Sequence, residues 1–198
     1  MSSSIDQTEL RAVKSAFRTA CLARRAAMTH PEAGAKLAQT VLDTVLDQVP
    51  VDPGAIIAGF WPMGDEIDLR PLLHALHARG YRLALPETPK RGEKLIFRAW
   101  HPDTPMLAGR FGTTHPDGPE QNPTFFLVPL LAFDRQGHRL GYGAGFYDAA
   151  LQAHPTAYRL GCAYAAQEVP VVPTGTHDQR LHAIATEIGL IQPDIGAA

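Results

Sequence analysis

A strand–helix–strand pattern between residues 55 and 85 constrains the fold more than any other feature of the sequence. Residues 55–61 form a continuous apolar run, which is typical of a strand covered on both faces of a sheet. A turn follows, then a helical stretch from Asp68 to Arg79 that Gly80 closes, and then an apolar strand at 81–85. Strands joined in this way lie parallel and are connected by a right-handed crossover. The pattern predicts an α/β fold.

The remaining segments fit a mostly parallel sheet flanked by helices. Helical spacing predicts a first helix over about 5–28, with a capping box from Ser4 and Gln7, and a second from Pro31 to about Val49 that prolines 50 and 53 end. Residues 101–124 are rich in proline and lack periodicity, so we expect a long surface loop that acts as a lid or specificity segment. Without repeats or linkers, residues 1–198 are expected to form a single domain. Further strands are predicted at 95–100, 125–133, 158–165 and 182–187, and a further helix from about Tyr147.

Composition excludes several classes of protein. A net charge of −2 gives no general attraction to polyanions, so any phosphate must be bound by local clusters and nucleic acid is not an expected partner. Cys21 and Cys162 are too far apart for a zinc or redox motif and fit a reducing compartment. The longest apolar run, 125–133, is too short to span a bilayer, and the first residues lack a signal-peptide pattern. We expect a cytoplasmic monomer that acts on a small molecule and has no membrane partner.

Three glycines alternate with other residues at 141–145, directly after the apolar strand region. Alternating glycines let backbone N–H groups approach an anion, and the N-terminus of the following helix favours negative charge. The same glycines can instead serve a tight turn, and their spacing matches neither the dinucleotide nor the Walker fingerprint. The flanks favour phosphate, because Arg139 can neutralise it and Asp148 can bind magnesium. Nearby aromatic rings can stack on a heteroaromatic ligand: Tyr142, Phe146 and Tyr147.

The stretch from Val128 to Asp148 resembles the signature of the 5-formyltetrahydrofolate cyclo-ligase family. It reads Val-Pro-Leu-Leu-Ala-Phe-Asp at 128–134, then Gly137, then Arg-Leu-Gly-Tyr-Gly-Ala-Gly-Phe-Tyr-Asp at 139–148. The resemblance extends over nearly the whole chain, although 101–124 does not share it. It implies a three-layer αβα architecture, the NagB/RpiA/CoA-transferase-like fold. It also implies a set of ATP contacts: Lys14, Arg18, Arg139, Leu140, Gly141, Tyr142, Gly143, Ala144, Gly145, Phe146 and Tyr147.

Lys14 and Arg18 lie four residues apart, hence on one face of the first predicted helix. Two such cations can clamp a polyphosphate, or they can form a solvated basic edge. The family resembled has a Lys-x-x-x-Arg pair on its first helix that contacts nucleotide phosphates. The resemblance therefore implies that Lys14 and Arg18 act in catalysis together with Arg139.

Residues 61–68 follow a predicted strand end, where α/β sheets bind their ligands. Glu66 or Asp68 could accept the N–H groups of a pterin, while Asp68 could equally cap the next helix. The resemblance implies that Glu66 contacts folate, with Trp61 and Met63 as pocket walls, and leaves Asp68 as the cap. The implied folate site comprises Trp61, Met63, Glu66, Tyr142 and Phe146.

The resemblance implies that Asp178 joins Asp148 in binding Mg²⁺, although His177-Asp178 alone is typical of a turn. Two positions depart from the family pattern. His182 stands where an acid is common, which would alter metal affinity or its pH dependence, and Ala149 stands where a basic or polar residue is common.

The family converts 5-formyltetrahydrofolate and ATP into 5,10-methenyltetrahydrofolate, ADP and phosphate. The formyl oxygen attacks the γ-phosphorus, and N10 then closes the ring on the activated carbon. This chemistry needs positioning and charge neutralisation rather than a protein nucleophile, and the sequence offers no recognisable Ser-His-Asp or Cys-His arrangement. Two other interpretations stay open: a folate- or nucleotide-binding relative with weakened turnover, and a sugar-phosphate isomerase or acyl-transferase-like enzyme without ATP dependence.

Overall fold

A computed structural model describes residues 7–28, 30–49, 51–52 and 54–193 of the chain. Its helices are α1 (Gln7–Ala26), α2 (Ala33–Thr40), a π-helical turn (Val41–Val45), α3 (Leu46–Gln48), α4 (Arg70–Ala78) and α5 (Phe146–Ala153). Its strands are β1 (Ile56–Ala58), β2 (Arg82–Glu87), β3 (Ile96–Trp100), β4 (Met106–Ala108), β5 (Thr114–Pro116), β6 (Glu120–Gln121), β7 (Phe125–Pro129), β8 (Ala132–Phe133), β9 (Arg139–Leu140), β10 (Tyr158–Cys162), β11 (Ala183–Thr186) and β12 (Gly189–Ile191). The predicted capping box and the two helix-ending prolines involve Ser4, Pro50 and Pro53, which lie outside the described residues.

Eight strands form the central sheet in the order β12-β11-β10-β7-β1-β2-β3-β6. The five strands from β11 to β2 are parallel to their neighbours, and β12, β3 and β6 add antiparallel edges. A parallel strand buries both faces, which is why β1 and β7 read as continuous apolar runs. The predicted α/β class with a mostly parallel sheet is confirmed.

Alternate side chains of β7 face opposite layers of helices. Phe125 and Leu127 pack in a core with residues of α2 and α4, whereas Phe126 and Val128 pack in a second core with residues of α5. The sheet therefore lies between two helical layers, as the three-layer prediction requires. Helix α1 contributes to neither core and packs through Phe17 and Cys21 beside the β8–β9 hairpin.

The predicted strand at 125–133 is wrong in its second half. The main-sheet strand ends at Pro129, and the chain then turns so that β8 pairs with β9 in a separate hairpin. Leu131 donates its amide to the carbonyl of Leu140 at 2.7 Å, which fixes the start of this hairpin. The apolar run conceals the turn because both pieces are buried. The hairpin brings Arg139 and the glycines that follow it back to the end of the sheet.

The prediction of a long structureless loop at 101–124 is also wrong. This segment contains the β4–β5 hairpin and β6, which extends the central sheet beyond β3. Pro119 lacks an amide hydrogen but its carbonyl accepts a hydrogen bond from Ala99 at 2.8 Å, so proline can take part in this edge pairing. A Cβ at Gly118 would lie 2.3 Å from the Ala99 carbonyl oxygen, so only glycine permits the close approach. Because of this proline and glycine, the sequence lacks the alternating pattern by which a strand is usually predicted, although the strand pairing is present.

Phe111 at the tip of the β4–β5 hairpin supplies a test of this backbone. It has φ +56° and is 61% exposed, and it is the only non-glycine residue with a positive φ among those described. Because only glycine adopts this conformation without strain, Phe111→Gly should be more stable than Phe111→Ala by about 1 kcal/mol. Both variants lack the ring, so urea unfolding compares only the backbone effects of the two residues, and the strain of alanine at a positive φ should outweigh the greater unfolded-state entropy of glycine. An alanine variant as stable as the glycine variant would contradict the assigned conformation.

Candidate active site

A cavity of about 530 Å³ opens at the carboxyl ends of the parallel strands. Pro129 ends β7, Phe60 and Trp61 follow β1, and Pro86 lies near the end of β2, and all four line the cavity. Open α/β sheets bind their ligands at this edge.

The structure brings together every site residue that the sequence predicted. From separate parts of the chain, all of these residues line the one cavity: Lys14, Arg18, Trp61, Met63, Glu66, Arg139, Leu140, Gly141, Tyr142, Gly143, Ala144, Gly145, Phe146, Tyr147, Asp148 and Asp178. Their placement makes a common site, while the role of each residue stays a prediction.

Helix α1 turns a largely cationic face toward this site. Arg11, Lys14 and Arg18 line the cavity, and Cys21 and Arg25 continue the same face as buried residues. Neither Arg11 nor Arg25 was predicted as a site residue, although Arg11 lies three residues before Lys14 and Arg25 lies seven residues after Arg18, a spacing that extends one helical stripe.

The three- and four-residue spacing of Leu10, Val13, Phe17 and Cys21 predicts an apolar stripe on α1, and this stripe is only partly present. Phe17 and Cys21 pack against the protein, but Val13 is 47% exposed. Much of the inward face of α1 is formed by cationic side chains instead.

Two ion pairs connect the cations of the cavity with its carboxylates. Lys14 pairs with Asp178, whose Oδ2 also accepts the amide of Gly175 at 2.7 Å. Arg139 is nearly buried and donates to Asp148 Oδ1 at 2.7 Å. Each aspartate therefore neutralises a cation that was predicted to bind phosphate.

The carboxylates of Asp148 and Asp178 are suitable ligands for Mg²⁺. Magnesium in nucleotide sites is usually held by one or two carboxylates, with water and phosphate oxygens completing its shell. Both carboxylates line the cavity together with the glycine loop and the cations. Within the described residues, no cluster of three or more His, Cys, Asp or Glu side chains could hold a metal.

The glycine loop at 141–145 has a backbone that requires glycine at two of its three glycine positions. Gly143 has φ +98°, and Gly145, the N-cap of α5, has φ +74°. The Arg18 guanidinium packs over Gly143, where a Cβ would lie 2.9 Å from Arg18 Cζ. Arg18 Nε also donates to the Gly141 carbonyl at 2.9 Å. The loop is thus both a tight turn and a seat for a cation, so the turn and phosphate interpretations are compatible.

Glu66 forms a buried carboxylate at the other side of the glycine loop. Its Oε2 accepts the Met63 amide at 2.8 Å, and its Oε1 accepts the Tyr142 hydroxyl. Burial raises the pKa of Glu66, while the hydrogen bonds from Tyr142 and Met63 and the charge of Arg25 act in the opposite direction. A buried acceptor next to Trp61 and Met63 can bind a flat ligand that carries N–H groups.

Asp68 and His182, which the sequence raised as a possible folate contact and a possible influence on the metal site, lie outside the cavity. The Asp68 carboxylate accepts the amide of Arg70, the first residue of α4, at 3.0 Å and forms an ion pair with its side chain. The hydrogen bonds from the Arg70 side chain and amide lower the pKa of Asp68. The N-cap residue of α4 is Leu69, so Asp68 accepts the first amide of the helix from one residue before the predicted cap position. His182 stacks on Tyr158 and accepts the Arg159 amide at 3.0 Å, so it does not join the two aspartates in the cavity.

The far wall of the cavity comes from residues that no sequence motif identified. Phe111, Thr113 and Thr114 reach it from the β4–β5 hairpin, and Thr88 and Arg91 reach it from the segment after β2. Their positions depend on how the hairpin packs, which could not be predicted locally.

A three-layer α/β fold with a glycine loop, cations and two aspartates at the carboxyl edge of its sheet is typical of enzymes that bind phosphate groups. The chain belongs to the 5-formyltetrahydrofolate cyclo-ligase family, whose sequence model matches residues 10–187. It is 31% identical over 172 residues to the 5-formyltetrahydrofolate cyclo-ligase of Escherichia coli K12, covering 82% of this chain and 94% of that protein. The cyclo-ligase of Mycolicibacterium smegmatis is 30% identical over 190 residues, covering 90% and 96%.

Solved structures show the same architecture. The 5,10-methenyltetrahydrofolate synthetase of Aquifex aeolicus superimposes with a TM-score of 0.74 at 28% identity, covering 94% of this chain and 95% of that one. The Mycoplasma pneumoniae synthetase superimposes with a TM-score of 0.66 at 22% identity, covering 88% and 98%, which supports the fold alone.

The glycine loop offers a matched pair of substitutions. Gly143→Ala should displace Arg18 and strain the loop, and so weaken tripolyphosphate binding by roughly tenfold, measured by calorimetry. Gly141→Ala is the control, because a Cβ there meets nothing within 4 Å and its φ is not in the left-handed region. Equal effects of the two substitutions would refute the seating of Arg18 on Gly143.

Proposed function

We propose that this protein catalyses the ATP- and Mg²⁺-dependent cyclisation of 5-formyltetrahydrofolate to 5,10-methenyltetrahydrofolate, with release of ADP and phosphate. One observation carries the proposal: a cationic glycine loop and a buried acceptor carboxylate face the same cavity and touch each other through Tyr142. A reaction that joins a phosphate donor to an N–H-rich ring needs these two sites side by side. The family assignment supports the same chemistry.

The phosphate end of the proposed site consists of Lys14, Arg18, Arg139 and the backbone of the glycine loop. The cations supply charge-assisted hydrogen bonds to phosphate oxygens, and Arg139 offers a planar fork for two of them. Arg139 is 7% exposed, so its charge acts with little screening by solvent. These groups stabilise the negative charge of a phosphoryl group in transfer.

Asp148 and Asp178 are the proposed ligands of Mg²⁺. When bound there, Mg²⁺ would neutralise the polyphosphate and orient its terminal phosphoryl group. The aspartates would then hold the metal in place of their present partners, and Arg139 and Lys14 would be available to the phosphates. Each of these charges therefore has a partner of opposite sign both before and after the substrates bind.

The folate end consists of Glu66, Trp61, Met63, Phe146 and Tyr142. Glu66 accepts N–H groups of the pterin, and the aromatic rings hold its plane. This placement points the formyl oxygen toward the phosphate end. Attack of that oxygen on the γ-phosphorus releases ADP. Attack of N10 on the activated carbon then releases the N10 proton and phosphate, which carries the former formyl oxygen.

We further propose that residues 1–198 act as a single-domain, cytoplasmic monomer on small molecules, without nucleic-acid or membrane partners. Both cysteines are buried free thiols, which fits a reducing compartment. In the described part of the chain, no helix is long and apolar enough to cross a membrane.

Phosphate release provides the direct test of this function. ATP with 5-formyltetrahydrofolate and Mg²⁺ should yield phosphate in proportion to methenyl product, whereas ATP alone should yield almost none. Binding of folate without product formation would support the alternative of a relative with weakened turnover. Phosphate release that ignores folate would refute the proposal.

Asp148→Asn tests the metal assignment. The substitution keeps the shape of the side chain but removes the charge that binds Mg²⁺, so kcat should fall by roughly a hundredfold and the Mg²⁺ requirement should rise. Asp68→Asn is the control, since that carboxylate caps α4 outside the cavity. Unchanged turnover and Mg²⁺ dependence in Asp148→Asn would exclude Asp148 as a ligand.

A further inference from the structure

Arg25 is a buried cation directly behind the cavity. It is 4% exposed, lies in the last turn of α1, and does not line the cavity. At 1.5 Å per residue, it lies about 10 Å along the helix from Arg18, beyond the phosphate end. Burying a guanidinium is costly unless it has partners, so its contacts show what it serves.

The contacts of Arg25 lead to Glu66. Its Nη1 donates to the Tyr142 hydroxyl oxygen at 2.6 Å and lies 4.0 Å from Glu66 Oε1. The Glu66 side chain is 6% exposed, so cation and carboxylate face each other almost without solvent. The guanidinium carbon also lies 5.4 Å from the centre of the Tyr142 ring.

The hydrogen bonds of this group can run in only one direction. Arginine has donors and no acceptor, so the Tyr142 oxygen must accept from Arg25. The single hydroxyl hydrogen of Tyr142 is then free to donate to Glu66, as the structure shows. Arg25 therefore fixes both the orientation of the hydroxyl and the role of Glu66 as an acceptor.

We propose that Arg25 is a positioning residue for folate: through Tyr142 it orients the Glu66 carboxylate and keeps it ionised for the N–H groups of the pterin. This inference rests on the proposed function of Glu66. It separates Arg25 from Lys14 and Arg18, which share its helix face but point to phosphate.

The charge state of Glu66 links this role to pH. The titratable and charged groups that interact with it are Arg25 from α1, Tyr142 from the glycine loop and Tyr147 from α5. Burial already raises the pKa of Glu66, and Arg25 opposes that rise. Without Arg25 the pKa of Glu66 rises further. As the pH is lowered, the variant therefore loses its ionised Glu66 carboxylate at a higher pH than the wild type does. Folate affinity should follow the same curve.

Calorimetric titration at two pH values tests the proposal. For Arg25→Met, the Kd of 5-formyltetrahydrofolate should rise roughly tenfold near pH 8, where a hydrogen-bonded positioning contact is lost, and by a larger factor near pH 6. The Kd of a nonhydrolysable ATP analogue should rise by a smaller factor, and by the same factor at both pH values, because the group that titrates lies at the folate end. Arg25→Lys, which retains the charge, should restore most of the wild-type pH profile.

Arg24→Met is the matched control, because Arg24 is the exposed neighbour of Arg25 on the same helix. It should behave as wild type with both ligands. If Arg25→Met does not fold, Tyr142→Phe carries the test, since Tyr142 is 47% exposed. That variant removes the hydroxyl but keeps the cation, so folate affinity should fall with a smaller shift in pH dependence.

Three results would overturn the proposal. The first is a parallel pH profile in Arg25→Met and wild type, and the second is an equal loss of affinity for folate and the ATP analogue. The third is unchanged folate binding in Tyr142→Phe. A wild-type protein that binds no 5-formyltetrahydrofolate at either pH would refute the proposed function itself, and that result is visible before any substitution is made.

Discussion

The docking of helix α1 against the carboxyl edge of the sheet depends on polar contacts, and the site depends on this docking. Cys21 and Arg25 are the buried residues of α1, so little apolar surface holds it. The Lys14–Asp178 ion pair and the Arg18 contact with Gly141 attach the helix to two different segments of the cavity wall. The groups that hold the helix are therefore the groups proposed to bind substrate. Substrate binding and the packing of α1 are coupled through these shared side chains.

The ion pairs also explain how a chain of net charge −2 can carry a cationic site. Lys14 and Arg139 are each paired with an aspartate, so the cavity holds concentrated charge without a large excess of one sign. Under the proposed function, an incoming polyphosphate would offer the cations new partners, and Mg²⁺ would offer the aspartates theirs. The cost of separating each pair would then be offset by the pair that replaces it.

The sequence was sufficient to predict those cavity residues that belong to a short motif. The glycine loop, the Lys14–Arg18 pair and the strand before Trp61 each carry their signal within a few residues, and the structure places all of them at one cavity. The sequence was insufficient where a role depends on distant contacts. The role of Arg25 becomes apparent only from its hydrogen bond to Tyr142, which is far away in the sequence. Phe111 likewise joins the cavity wall only because the β4–β5 hairpin folds there. The pairing of β3 with β6 was not predicted because Pro119 and Gly118 are not typical strand residues. Pro119 takes part in the pairing through its carbonyl alone, and Gly118 allows the close approach of Ala99.

A crystal structure with a nonhydrolysable ATP analogue and Mg²⁺ would test the exchange of partners most directly. In that structure Lys14 should leave Asp178 for a phosphate oxygen, and Asp148 and Asp178 should bind the metal. Lys14–Asp178 and Arg139–Asp148 pairs that stay intact, with the metal bound elsewhere, would contradict it.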